Sequence, residues 1–161
     1  MIVVCDSSPI INLAIIGELH LIPAIFKKVI IPTAVYNEIV ITGSGLPGSS
    51  EIQNADWIEV KSYTDNVLMT QLRKSLHLGE AAAITISLEN QAELLLIDEN
   101  AGRTVAIAYG LTVLGTLGIL LRAKSIGLIP SVQQLMDKLM VDARFFVSAT
   151  VYARILSIAG E

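Results

Sequence analysis

The sequence predicts an α/β fold: a mainly parallel central sheet with helices on both faces, in three layers α/β/α. Three observations carry this expectation. Short apolar runs ended by an acid or a proline alternate with helical patterns along most of the chain. Leu94-Leu95-Leu96-Ile97 is apolar without alternation, as a strand buried on both faces of a parallel sheet must be. The chain has 161 residues, 53% hydrophobic and 16% charged, against about 25% charged in an average soluble domain. That is enough apolar material for one domain, residues 1–161, to cover a sheet twice.

Taken in order, Ile2-Val3-Val4-Cys5 reads as a buried strand ended by Asp6. Ser7-Ser8-Pro9 supplies a cap and a proline suited to a first helical turn, and the helical spacing runs through Ile16 to the stop at Gly17. Glu18–Phe26 is a second short helix, with His20 at its surface. Lys28-Val29-Ile30-Ile31 is the next strand, closed by Pro32, and Thr33–Ile41 a helix carrying Glu38. Gly43–Ser50 is dense in Gly, Ser and Pro and reads as a mobile flap near the site. Trp57–Lys61 alternates as an edge strand does, and Thr64–Leu76 is amphipathic, with Arg73 and Lys74 near its end. A helix opens at Leu78-Gly79-Glu80 and continues in small residues that permit close approach to the sheet. After the Leu94–Ile97 strand come a helix Asn100–Tyr109, a strand Thr112–Leu114 and a helix Thr116–Ser125. Ser131–Val141 and Phe145–Ile158 complete a helical carboxyl-terminal part, a candidate dimer or partner surface.

Thr104–Leu121 is an uncharged run long enough to raise a membrane span, but Gly110, Gly115 and Gly118 break it, and a soluble protein is expected. The amino terminus has no basic region before its apolar stretch, so it does not read as a signal peptide. The single cysteine, Cys5, excludes an internal disulfide and reads as a small core residue. Both features suit the cytoplasm. The net charge of −4 lacks the basic excess common in phosphate binders. Setting four acids aside for a metal site leaves 11 acids against 11 bases, so charge alone neither supports nor excludes a phosphate substrate.

Four acids stand out by placement: Asp6 and Asp98 at strand ends, Glu38 within a helix and Glu80 at a helix start, with Glu99 beside Asp98 as a fifth. In open α/β sheets, ligands bind beyond the carboxyl ends of the strands. Carboxylates gathered there repel one another and stay ionised only around a cation. Their hard oxygens select Mg²⁺ or Mn²⁺, which can activate water for phosphodiester hydrolysis. Each acid also has a plainer reading: Glu38 a solvated helix residue, Glu80 a favourable charge at a helix start. A phospho-acceptor receiver domain also carries acids at strand ends, but expects a pair after the first strand, where serines stand here.

Four segments, Val4-Cys5-Asp6-Ser7-Ser8-Pro9-Ile10-Ile11, Val35-Tyr36-Asn37-Glu38-Ile39, Leu78-Gly79-Glu80-Ala81-Ala82-Ala83-Ile84 and Leu96-Ile97-Asp98-Glu99-Asn100-Ala101-Gly102-Arg103, resemble the motifs of PIN domains in order and spacing. Ala108–Gly118 is similar to the PIN-like subgroup DUF3368, so the resemblance spans about residues 1–130. It implies a metal-dependent ribonuclease, often the toxin of a toxin–antitoxin pair. RNA would be the substrate, a cognate antitoxin a partner and a homodimer the assembly, with no membrane role. Carried over, Asp6, Glu38, Glu80 and Asp98 would be the catalytic ligands of Mg²⁺ or Mn²⁺, with Glu99 as a further ligand. Ser7, Ser8 and Asn100 would support them, and Arg103, Arg73 and Lys74 would contact RNA. Many PIN domains have an acid where Asn100 stands, which leaves one ion or two open. The alternative is a catalytically inactive PIN-fold module serving interaction or regulation.

Overall fold

Val3-Val4-Cys5 forms the middle strand, β1 (Val3–Cys5), because all three residues are apolar and each face of the strand is covered. The computed structural model describes all 161 residues. It contains β2 (Val29–Pro32), β3 (Ile58–Lys61), β4 (Leu94–Leu96) and β5 (Val113–Leu114) in the order β3-β2-β1-β4-β5. All pairings are parallel, with Val3, Val4 and Cys5 opposite Leu94, Leu95 and Leu96. The chain builds outward from β1 to β3 and then crosses to β4 on the other side. The crevice between the carboxyl ends of β1 and β4 is therefore the switch point where such sheets bind ligands.

The helices are α1 (Ser7–Ile15), α2 (Leu21–Phe26), α3 (Thr33–Tyr36), α4 (Ser49–Gln53), α5 (Asn66–Leu72), α6 (Leu78–Glu89), α7 (Asn100–Ala108), α8 (Thr116–Ser125), α9 (Val132–Asp142) and α10 (Ala149–Ala159). Alternation along the strands divides the interior in two. Val3, Cys5, Val29, Ile31, Leu94 and Leu96 face one layer, with Ile10 and Leu13 of α1, Ile119 of α8 and Met136 of α9. Val4, Ile30 and Leu95 face the other, with Met69 of α5, Ala81–Ile84 of α6 and Ala106 of α7. The expected three layers are present. Each fully buried Leu or Ile contributes roughly 1.5–3 kcal/mol. The alanines of α6 let it lie close on β1 and β2, and its buried Thr85 and Ser87 hydroxyls donate to Ala81 and Ala83 carbonyls one turn back.

Gly17 ends α1 as expected, in the left-handed region (φ 75°), with its N–H on Ala14 O and the Glu18 N–H on Leu13 O. The helix after it starts only at Leu21, because Glu18–His20 form the connecting turn. The helix expected over Thr33–Ile41 divides into α3 and a π-helical turn, Asn37–Thr42. The β-branched run Ile39-Val40-Ile41-Thr42 is poorly suited to a tight α-turn. The turn closes with the Gly43 N–H on Glu38 O at 2.9 Å, and a methyl at Gly43 would meet that oxygen at 2.8 Å.

The flap expectation is corrected: no residue of Gly43–Ser50 lines the acid pocket described below. Gly48 and Ser49 are buried instead, with Gly48 close to Ala14 and Ile10 of α1. β3 is an edge strand, with Glu59 and Val60 exposed. The Thr104–Leu121 run is divided among α7, β5 and α8, and no helix is long and apolar enough to cross a membrane. α10 starts at Ala149, later than expected, because the Ser148 hydroxyl caps it by accepting the Val151 N–H.

Candidate active site

Asp6 leaves β1 at the switch point, and its N–H donates to Leu96 O at 2.9 Å, which ties its backbone to β4. It stands just before α1 with extended backbone (φ −77°, ψ 171°), the ordinary geometry of a capping residue, yet its carboxylate caps nothing. The side chain is 2% exposed and its Oδ1 has no hydrogen-bond partner. Glu80, in the first turn of α6, is 6% exposed and its Oε2 is likewise unpartnered. Its Oε1 accepts the His77 backbone N–H at 3.4 Å, half of a capping box. Orphaned buried carboxylate oxygens are costly, and each calls for an explanation.

Both acids line one pocket of about 150 Å³, together with Ser7, Ser8, Glu38, His77, Gly79 and Glu99, and no lining residue is hydrophobic. Gly79 separates the carboxylates: a methyl there would lie 3.4 Å from Asp6 Oδ1 and 3.4 Å from Glu38 Oε2. Gly102, on α7, makes room for Glu80, since a methyl there would sit 2.7 Å from Glu80 Oε2. Glu38 comes from the π-helical turn, a rare element that recurs at functional sites. Glu99 immediately precedes α7, and both glutamates are exposed at the rim.

Burial above all pushes the Asp6 carboxyl up from 3.8 to about 7; the Ser7 backbone N–H opposes it, and the charges of Glu80, Glu38 and Asp98 add to it. Burial also raises Glu80, against the His77 N–H and the nearby His77 side chain, with Glu99 and Glu38 adding repulsion. Four carboxylates line this polar cavity, and for the two buried ones, Asp6 and Glu80, the neighbouring acids add to the cost of the charge. As the side chains stand, no three His, Cys, Asp or Glu residues are gathered tightly enough to hold an ion. The orphaned buried oxygens and the wholly polar lining are the chemistry that a hard divalent cation takes.

Asp98 behaves differently. It lies two residues beyond β4 and lines an adjoining groove of about 770 Å³, not the acid pocket. Its Oδ1 accepts the Thr116 N–H at 2.7 Å, and its Oδ2 accepts the Thr116 hydroxyl at 2.7 Å and the Asn12 amide at 3.0 Å. It caps α8 from a distance, because Gly115, just before that helix, offers no side chain. A methyl at Gly115 would meet Asp98 Oδ1 at 2.9 Å. Arg103 donates to Ile97 O at 3.0 Å and lines the groove, as Asn100 does. Arg73 and Lys74 line neither the pocket nor the groove.

Of the acids singled out in the sequence, the structure thus brings Asp6, Glu38, Glu80 and Glu99 to one pocket and leaves Asp98 beside it. His77, Gly79, Gly102, Asn12 and Thr116 were not anticipated. The glycines had a readable signal, since each is one or a few residues from an acid at the start of a helix. Cys5 is a core residue as expected, and burial raises its thiol well above its usual range.

The family model described as PIN domain, DUF3368, matches residues 2–161. PIN domains are in general nucleases that bind nucleic acid and typically use divalent metal ions. No curated protein matches the chain.

Proposed function

The chain belongs to the PIN-domain family, and on that premise we propose that it is a Mg²⁺- or Mn²⁺-dependent RNA endonuclease. The observation that carries the reading is the pair of buried, unpartnered oxygens, Asp6 Oδ1 and Glu80 Oε2, at one wholly polar pocket. Asp6 and Glu80 are held by the end of β1 and the start of α6, and would be the fixed ligands. Glu38 and Glu99, exposed at the rim, would complete the set. In this reading Asp98 is a positioning residue, holding the start of α8 and, through Asn12, the helix that follows Asp6. A divalent ion held by these residues would supply charge against the negative phosphate and would lower the pKa of an attacking water. Ser7, Ser8 and His77 also line the pocket, and the two hydroxyls would be donors for a bound phosphate.

The role of toxin, with a cognate antitoxin, a homodimer and a cytoplasmic location, belongs to the same reading and is supported by the family resemblance. A neighbouring gene for a small protein with an apolar carboxyl-terminal arm would strengthen it. A second reading, an inactive PIN-fold module, is favoured by the spacing of the acids, no three of which are gathered for an ion. Incubating a pool of single-stranded and structured RNA with Mg²⁺ or Mn²⁺ separates the two. Cleavage by the wild type, absent with chelator and absent in Asp6→Asn, supports the nuclease. Absence of cleavage in the wild type, with no thermal shift on adding Mn²⁺, supports the inactive module.

A further inference from the structure

The acid pocket accounts for chemistry at a phosphate but not for how a strand is held. Beside it runs the groove of about 770 Å³, and Ser8 and Glu99 line both. That volume lies within the range of sites for ligands of nucleotide size. One wall is apolar, from Leu117 and Leu121 of α8 to Val147. Of the 11 basic residues in the chain, only Arg103 and Arg144 line the groove, and none lines the acid pocket. The Asp98 charge is already met by the Thr116 and Asn12 donors, so beyond Glu99 the free charges of the groove are two guanidiniums.

Two residues of the groove lining stand out. Phe146 is 88% exposed, the most exposed aromatic-sized apolar side chain of the molecule. Arg144 adopts φ 52°, in the left-handed region that favours glycine, where the Phe145 N–H reaches back to Leu139 O. Arg144 thereby ends α9 one residue past its cap, Ala143, and the arginine and the exposed ring both line the groove. Cations and an unoccupied aromatic face along one groove are the chemistry that recognises single-stranded nucleic acid.

We propose that this groove is the track for a single RNA strand leading into the acid pocket, with a base stacked on Phe146 and backbone phosphates taken by Arg144 and Arg103. The proposal rests on the nuclease reading for the identity of the strand. Its geometry is independent of any metal. An apolar helix of a protein partner would use the Leu117–Leu121 wall but would leave both guanidiniums without counter-charges.

The test is fluorescence anisotropy of a short labelled single-stranded RNA of mixed sequence, in chelator, with the full chain. A hairpin duplex of the same composition serves as comparison. Phe146→Ala and Arg144→Gly are both fold-safe, since Phe146 is exposed and glycine suits the Arg144 backbone. The expected result is tighter binding of the single strand than of the duplex. Phe146→Ala should weaken it about tenfold and Phe146→Trp restore it. Arg144→Gly should weaken binding and reduce the salt slope by about 0.7. Equal binding by wild type, Phe146→Ala and Arg144→Gly, or equal binding of strand and duplex, overturns the proposal. Cleavage with Mn²⁺ on the same proteins separates the two readings. Variant-sensitive binding without any cleavage keeps the groove and removes the nuclease, whereas cleavage with variant-insensitive binding does the reverse.

Discussion

Asp6 and Asp98 leave neighbouring strands on the same side of the sheet, and in the sequence they look alike: an acid after a short apolar run. Their surroundings differ completely. Asp6 has a buried oxygen without any partner and burial raises its carboxyl to about 7, whereas Asp98 receives three hydrogen bonds from Thr116 and Asn12. The difference is made by helix starts rather than by the acids themselves. α8 turns its first N–H and a threonine hydroxyl onto Asp98, while α6 brings another carboxylate, Glu80, to Asp6. A strand-end acid thus stands at the switch point, and the helix opposite decides whether its oxygens are satisfied by hydrogen bonds or left without partners.

This contrast is broken most severely by Asp6→Asn. Cleavage should fall by more than about a hundredfold, to the chelator background, as measured by RNA cleavage with Mn²⁺. Stability of the same variant should rise at neutral pH without metal. The sign follows from the raised carboxyl. Between about 4 and about 7 the unfolded chain has lost the Asp6 proton and the folded chain retains it, so the metal-free protein loses stability as pH rises through that window. Above about 7 both states are ionised and the loss levels off, at about 4 kcal/mol. Urea unfolding across that range should show the decline in wild type and a flatter profile in Asp6→Asn. Metal binding should correspondingly release protons and tighten up to neutral pH.

Asp98→Asn tests the other half. Its amide would place donors against the Asn12 amide, and we expect a loss of about 1–3 kcal/mol in unfolding free energy, with metal binding retained. Gly102→Ala should act on both sides: the added methyl would sit 2.7 Å from Glu80 Oε2 and 2.7 Å from Ile97 Cδ1 in the core, weakening Mn²⁺ binding and lowering the unfolding midpoint together. The smallest effect belongs to Glu161, which does for α9 what Asp98 does for α8. Its carboxylate accepts from the Val132 and Gln133 N–H groups, the Ser131 hydroxyl and Lys124. These hold it down at about 2, the Val132 N–H foremost, so its contribution is present above the ordinary glutamate range and fades as pH falls toward 2. Glu161→Gln should remove that acid-side slope in a thermal melt and little else.

Much of the fold was legible because a parallel sheet imposes apolar runs and a fixed alternation with helices. The Leu94–Leu96 strand, the Gly17 stop and the small-residue face of α6 followed directly. The π-helical turn at Glu38 was not legible, since helical spacing alone does not distinguish it from an α-helix. The Gly43–Ser50 composition suggests mobility, but burial of Gly48 and Ser49 is a tertiary fact. At the site, Asp6, Glu38 and Glu80 could be singled out by placement. That Thr116 and Asn12 hold Asp98 while Glu99 lines the acid pocket could not be read from sequence, because it depends on where α8 starts in space. Arg144 and Phe146 carry no motif; only a left-handed backbone and an exposed ring mark them.

The most direct test is calorimetric titration of Mn²⁺ into wild type, Glu99→Gln and Asp98→Asn, each confirmed folded by circular dichroism. The account predicts binding in wild type and Asp98→Asn, with loss or strong weakening in Glu99→Gln. Binding that is lost in folded Asp98→Asn and unchanged in Glu99→Gln would contradict it, and would return Asp98 to the metal.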